Sequence, residues 1–299
     1  MHEYHGARVF GDGYERVAVR KITDDIYWIT HCLGDHAQAN YENYFQMLPD
    51  ADRYSGDRVV DYPFSAFLIV DEKCTLLDTI APTQKDTMRA AVAYILGDRP
   101  LDYIWISHIE LPHAGNAVMF NRLYPQARLV TLDEGDHYYR LHGLEQALKL
   151  KAGEVLDLGK HKLEMIDPLF VDHGFSQWCF EQTTGTLISV DWAHNLHEPA
   201  KNQCFMFLDE MFDQGDYPES LYLDDLKVNY WYQFPWLAFA DIDRVVAAID
   251  DLFDRYDIRI LAPSHGNIVR KNVRQYKELL KEGMRQAAAI PWYYGPETG

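Results

Sequence analysis

Short apolar runs recur along the chain, each closed by a polar or glycine-containing turn. Ile26-Tyr27-Trp28-Ile29 is the first β-prone run. Residues 65–70 and 74–79 flank Asp71-Glu72-Lys73 and read as a β-hairpin. From Pro82 to Leu96, Met88, Ala91, Val92 and Ile95 recur at helical spacing, and Gly97 supplies a stop. Tyr103-Ile104-Trp105-Ile106 and Arg128-Leu129-Val130-Thr131 read as strands, with a helix-like stretch over 116–123 between them. A helix is expected over 141–150. Three strands follow at 163–166, 177–180 and 186–190, the last two joined by Thr183-Thr184-Gly185. Helices are expected around 224–232, over 242–253 and over 271–286, and a strand at 258–261. The first twenty residues carry little pattern. Residues 31–62, rich in Asp, Asn, Gly and Tyr, read as one long loop, which makes His31 and His36 solvated loop histidines. His137 and His142 are expected at the surface.

This order predicts an α/β (α+β) protein, with two sheets at the centre and helices outside: an αββα sandwich. No internal stretch rich in Pro, Gly or Ser divides the chain, so residues 1–299 are expected to form one domain.

Composition narrows the partners. The chain is 47% hydrophobic, enough for a sizeable core, and no apolar run approaches the length of a membrane span. The polar start, Met1-His2-Glu3-Tyr4-His5, has no signal-peptide core, so a cytoplasmic location is expected. Acidic residues outnumber basic ones 46 to 28, for a net charge of −18. That balance argues against nucleic acid and against anionic membrane surfaces as partners. Cys32, Cys74, Cys179 and Cys204 form no close pair, and free buried thiols are expected.

The chemistry-bearing residues lie in loops that follow predicted strands. Ser107-His108-Ile109-Glu110-Leu111-Pro112-His113 holds two imidazoles and a carboxylate, a ligand mixture that suits zinc, iron or manganese. Asp172-His173-Gly174, Asp191 and His265 follow three later strands. The set His108, Glu110, His113, His173, Asp191 and His265 suffices for two metal ions. Asp191 is the natural bridge, because a carboxylate has two ligating oxygens and an imidazole offers one nitrogen. His108, Glu110 and His173 would complete one centre, and His113 and His265 the other. His194 and His197 are placed outside this set. Trp178, Trp192, Trp231 and Trp236 are expected in the core.

This pattern resembles the metallo-β-lactamase fold and, within it, the diiron domain of flavodiiron proteins. Most hydrolytic members of the fold read H-x-H-x-D-H at the first loop and hold zinc; flavodiiron proteins read H-x-E-x-D-H and hold two irons. Here the loop is His108-x-Glu110-x-Pro112-His113. Phe67–Val70 with Leu77-Asp78-Thr79 resembles the family's first hairpin, and Leu187–Asp191 its "L-F-S-x-D" strand. Leu208-Asp209-Glu210, Val228-Asn229-Tyr230-Trp231 and Pro263-Ser264-His265-Gly266 resemble later segments, so the likeness runs roughly from residue 22 to 275. Two departures stand out. Pro112 replaces an aspartate ligand, which leaves His113, Asp191 and His265 for the second ion. At the second loop both Asp172 and His173 precede Ser176, and either is a candidate ligand, with His173 favoured.

The resemblance implies a non-heme diiron oxidoreductase that uses or binds dioxygen. Glu110, a harder and anionic ligand, favours two irons over zinc by stabilising higher oxidation states. The family's FMN-carrying flavodoxin domain is not expected within these 299 residues, so electrons would come from a separate donor protein. A small organic substrate is compatible with an oxygenase, and a homo-oligomer is expected. A zinc hydrolase of the same fold is the alternative, with a metal-lowered water pKa, and a non-catalytic oxygen sensor is the second.

Overall fold

The computed structural model describes residues 3–32, 61–132, 147–172, 174–198, 201–212 and 219–290. His36, His137, His142 and His173 lie outside the described residues. Two sheets form the centre. The first runs in order β1 (Glu3–Tyr4), β2 (Ala7–Phe10), β3 (Val17–Lys21), β4 (Ile26–His31), β5 (Ser65–Ile69), β6 (Thr75–Leu77), β7 (Tyr103–Trp105), β8 (Arg128–Leu132) and β9 (Leu148–Leu150). Pairing is antiparallel as far as β6 and parallel from β6 to β9. The second sheet holds β10 (Val155–Asp157), β11 (Lys162–Ile166), β12 (Trp178–Glu181), β13 (Thr186–Val190) and β14 (Ile260–Pro263). It is antiparallel until β14 joins β13 in parallel.

The helices are α1 (Lys85–Leu96), α2 (Leu111–Ala114), α3 (Ala117–Leu123), α4 (Glu219–Gln233), α5 (Ile242–Arg255) and α6 (Val273–Ala288). Strand alternation assigns the layers. Ala66 and Leu68 of β5 face one way and pack with Met88, Ala91 and Val92 of α1. Phe67 and Ile69 face the other way, into the core shared with Trp178, Leu187 and Ile188 of the second sheet. That same core continues to Leu252 of α5 and Tyr276, Leu280 and Met284 of α6. The expected αββα sandwich is the observed architecture. Because both faces of β5 and β13 are covered, every residue of these strands is buried, which is why they read as continuous runs and not as alternation.

Four sequence readings are corrected. The first twenty residues contribute three strands, since Ala7, Val17, Ala18 and Val19 are buried; their runs are short and broken by Gly11 and Gly13. Within the segment read as a helix over 141–150, Leu148–Leu150 is a strand paired parallel to β8; pairing to a sheet edge overrides local propensity. His31 closes β4 and is only 3% exposed; burial lowers its pKa to about 4, and its Nδ1 accepts the Phe64 N–H at 3.1 Å. Cys32 and Cys204 are joined as a disulfide across 172 residues, a pairing that local sequence cannot signal, while Cys74 and Cys179 are free and buried as expected.

The turn between β12 and β13 depends on Glu181, which is fully buried. Its carboxylate accepts the Thr183 and Thr184 N–H groups at 2.8 and 2.7 Å, the Thr184 hydroxyl, and His161 Nδ1 at 2.9 Å. Burial opposes its charge, but His161 and the two threonines hold its pKa at about 2. A depressed pKa contributes stability that is fully present above the ordinary value of 4.5 and lost as pH falls towards about 2. Glu181→Gln is expected to lower unfolding stability by about 1–3 kcal/mol at neutral pH. Chemical denaturation of both proteins at pH 7 and pH 3 checks this, and the gap between them should narrow at the lower pH.

Candidate metal centre

The site forms where parallel strand pairs from the two sheets end together, outside their C-terminal ends. β6 runs into Asp78 and β7 into Ser107-His108, with the Asp78 N–H donating to the Trp105 carbonyl at 2.9 Å. β13 runs into Asp191 and β14 into Ser264-His265, with the Ser264 N–H donating to the Val190 carbonyl at 2.8 Å. The chain turns sharply at these ends: Asp78, Ile80 and Val190 have φ of 58°, 50° and 49°. Such backbone costs on the order of 1–3 kcal/mol per residue and is most unusual for a β-branched residue such as Val190. Gly266 is required by space as well as by its φ of +124°, because a Cβ there would lie 2.7 Å from the Asn195 backbone nitrogen.

Asp191 is the centre of the cluster. Its Oδ2 lies 3.2 Å from His108 Nε2, and its Oδ1 lies 3.1 Å from both His113 Nε2 and His265 Nε2. Glu110 Oε2 approaches His108 Nε2 at 3.7 Å, so the second carboxylate sits on the Oδ2 side. All three imidazoles and Asp191 are buried, and Glu110 reaches in from a half-exposed position at the start of α2.

The outer hydrogen bonds fix each imidazole tautomer. His113 Nδ1 donates to Asp78 Oδ2 at 2.8 Å, and His265 Nδ1 donates to the Pro63 carbonyl at 3.0 Å. The Ser107 hydroxyl donates to Asp78 Oδ2 at 2.8 Å, so its oxygen is left to accept from His108 Nδ1 at 3.2 Å. Each ring therefore holds a proton on the outer Nδ1 and turns Nε2 towards Asp191, the orientation that metal-ligating histidines adopt. Asp78 also accepts the Ser107 N–H at 2.8 Å, so one buried carboxylate orients two of the three rings.

The charges ask for a cation. Burial opposes ionisation of Asp191, but His113 and His108 hold its carboxyl well below the usual range. Burial likewise opposes charging of His113, but Asp191 and Asp78 hold its pKa well above the ordinary value. The pKa of Glu110 is lowered by the adjacent His108 ring, against partial burial. His113 Nε2 and both Asp191 oxygens are buried yet make no hydrogen bond of ordinary geometry among the described residues. Buried polar atoms that converge in this way fit ligands of a metal ion better than a structural hydrogen-bond network. His108, His113 and Asp191 form such a group, and Glu110 and His265 flank it on opposite oxygens of Asp191. The donor set would fit two ions, with His108 and Glu110 available to one and His113 and His265 to the other.

Pro112 is the second residue of α2, where a missing N–H is tolerated, and it offers no ligand atom. Asp172 is exposed, and its Oδ2 accepts from Gln233 Nε2 at 2.8 Å. Tyr62 stacks on His265 with ring centroids 4.2 Å apart, and its hydroxyl lies 3.3 Å from His194 Nδ1 and 3.1 Å from Gln233 Oε1. His194 is buried and held well below its ordinary pKa by burial and by His265, so this wall presents a neutral imidazole. Asp78, Tyr62 and His194 escaped the sequence reading as site residues. For Asp78 there was a signal, a lone carboxylate directly after the apolar strand Thr75–Leu77.

The fold and this arrangement define a metallo-β-lactamase-like sandwich of the kind found in flavodiiron cores. No family model matches the chain. It is 25% identical over 279 residues to a nitric oxide reductase of Moorella thermoacetica, covering 91% of this chain and 63% of that protein. It is 26% identical over 265 residues to a coenzyme F420H(2) oxidase of Methanothermobacter marburgensis, covering 85% and 58%. The metal-soaked Flv1 flavodiiron core from Synechocystis sp. PCC6803 superposes with a TM-score of 0.68 at 19% identity, covering 91% of this chain and 62% of that one. The chain therefore spans about three-fifths of the length of these proteins.

Asp78→Asn tests the orienting role. Asn tolerates the left-handed backbone at this position but cannot accept all three donors, the Ser107 N–H and hydroxyl and His113 Nδ1, as the carboxylate does. Metal affinity is expected to fall 10–100-fold while the circular dichroism spectrum is retained. Competition titration against a chromophoric chelator measures the change.

Proposed function

We propose that this chain is a non-heme diiron oxidoreductase that takes dioxygen at the Asp191 site and receives its electrons from a separate donor protein. The observation that carries this reading is the division of ligands about Asp191. His108 and Glu110 lie on the Oδ2 side, and His113 and His265 on the Oδ1 side. His173 is assigned to the Oδ2 side, which would give that ion three ligands besides Asp191. Pro112 leaves the Oδ1 side with two. We also assign residues 1–299 to one domain, the location to the cytoplasm, and the assembled state to a homo-oligomer. Among the described residues no helix is long and apolar enough to cross a membrane.

Two irons would supply reversible one-electron redox chemistry and open positions for dioxygen. The chain's own contributions are separate. Glu110 adds negative charge that favours ferric over ferrous iron and iron over zinc. The outward Nδ1 protons of His108, His113 and His265 keep the ligand lone pairs fixed through turnover. Tyr62 and His194 close one side of the site, and the neutral His194 ring with the Tyr62 hydroxyl gives a polar but uncharged wall. The relatives named above as a nitric oxide reductase and a coenzyme F420H(2) oxidase support a redox reaction at this site.

Anaerobic reconstitution with ferrous iron tests the proposal. Two irons per chain, an optical change on exposure to oxygen, and oxygen consumption with a chemical reductant are expected. Two tightly held zinc ions with ester or lactone hydrolysis, and no response to oxygen, would overturn it in favour of a hydrolase. Iron that binds oxygen without turnover would indicate a sensor. Glu110→His is expected to lower the iron-to-zinc ratio of protein loaded from an equimolar mixture, measured by plasma mass spectrometry. Asp191→Ala is expected to lose both ions.

A further inference from the structure

A second cluster of ligand-type side chains lies outside the Asp191 site. Cys32 follows β4, Asp61 is bridged to the segment after β13, His197 lies in that segment, and Cys204 lies in the loop beyond it. All four side chains are buried, and their ligand atoms lie within 4.8 Å of one another. His197 Nε2 is 3.4 Å from Cys32 Sγ and 3.8 Å from Asp61 Oδ2. A backbone bond from the Asp61 N–H to the His197 carbonyl, 2.8 Å, holds these two residues side by side. Burial lowers the His197 pKa to about 4, so its ring is neutral and can offer a lone pair.

We propose that Cys32, Cys204, His197 and Asp61 form a second metal site, for a single zinc-class divalent cation, that opens when the Cys32–Cys204 disulfide is reduced. Two thiolates, an imidazole and a carboxylate are a donor set typical of tetrahedral zinc. Zinc bond lengths place neighbouring ligand atoms of a tetrahedron roughly 3.3–3.8 Å apart. The two distances to His197 Nε2 already match that spacing. The sulfurs must part, from about 2.05 Å in a disulfide to about 3.8 Å, a movement within reach of side-chain rotation, and the remaining ligand pairs already lie within 4.8 Å. The Cys32 and Cys204 Cα atoms are 5.9 Å apart.

The chemistry balances with a dithiol reductant as the second reactant. The disulfide takes two electrons and two protons and becomes two thiols, while the reductant becomes its own disulfide. Metal uptake then releases the two thiol protons and leaves two metal–sulfur bonds. The filled site carries one net negative charge from two thiolates, one carboxylate and a dication. Arg16 stands next to it, with its guanidinium donating to the Cys32 carbonyl at 3.1 Å. In a reducing compartment the thiol form prevails, so this site would hold the start of the chain to the loop at 201–208 where a disulfide could not persist. The site is also coupled to the first. Asp61 directly precedes Tyr62, which stacks on His265, and Pro63, whose carbonyl orients the same ring.

Cobalt(II) titration of the full chain, with and without prior reduction by a dithiol, tests the proposal. Reduced protein is expected to bind one cobalt with thiolate-to-cobalt charge transfer and the intense visible bands of a tetrahedral ion. That signal should be absent from oxidised protein and from Cys204→Ser, and should persist in Asp191→Ala. Charge transfer that survives in folded Cys204→Ser would overturn the proposal. Zinc-edge X-ray absorption on reduced, zinc-loaded wild-type protein serves as a check that needs no variant. Sulfur neighbours at about 2.3 Å are expected; a shell of nitrogen and oxygen alone would overturn it.

Discussion

The structure depends on one buried carboxylate. Asp191 lies at the meeting point of the two sheets, with imidazole nitrogens 3.1–3.2 Å from its oxygens and, among the described residues, no hydrogen bond of ordinary geometry to either oxygen. A buried charge of this kind is tolerated only when it is paired or ligates a cation. Neutral rings cannot satisfy it by hydrogen bonding, because each would have its one proton committed to the opposite nitrogen. Positive charge held between carboxylate and imidazoles resolves the conflict, whether as a proton on His113 or as metal ions.

The surrounding fold serves to hold this conflict in place. Parallel pairing of β6 with β7 and of β13 with β14 brings four strand ends together, so that residues far apart in sequence arrive with defined register. Asp78 links two of those ends by binding both the Ser107 backbone and the His113 ring. The left-handed backbone at Asp78, Ile80 and Val190 is the cost of turning out of a strand directly into a ligand. Covered strands on both sides supply the rigidity that such a turn requires. The second cluster, around Cys32 and Cys204, uses the same segment at 61–64 that packs against His265, so the two clusters share a structural wall.

The sandwich was legible because its strands are short, apolar and punctuated, and because the ligands follow them directly. His108, Asp191 and His265 each follow a predicted strand, and the structure brings their side chains together, with Glu110 nearest His108. What the sequence concealed was long-range or tertiary in origin. Asp78 carries no motif of its own, and its role exists only through pairing of β6 with β7. His31 reads as a loop histidine until the Phe64 N–H is seen to bind it. Cys32 and Cys204 are 172 residues apart, and no local spacing could pair them. Leu148–Leu150 reads as helix because its strand character comes from β8. Pro112 was legible as a departure, and at the second position of α2 it is conformationally at home while withholding a ligand from the Oδ1 side.

Anomalous diffraction at the iron edge, on crystals of anaerobically reconstituted protein, addresses the account most directly. Two peaks are predicted, one against each oxygen of Asp191, the first bounded by His108 and Glu110 and the second by His113 and His265. A single peak, or iron bound away from Asp191, would contradict the carboxylate-bridged dinuclear centre on which the account is built.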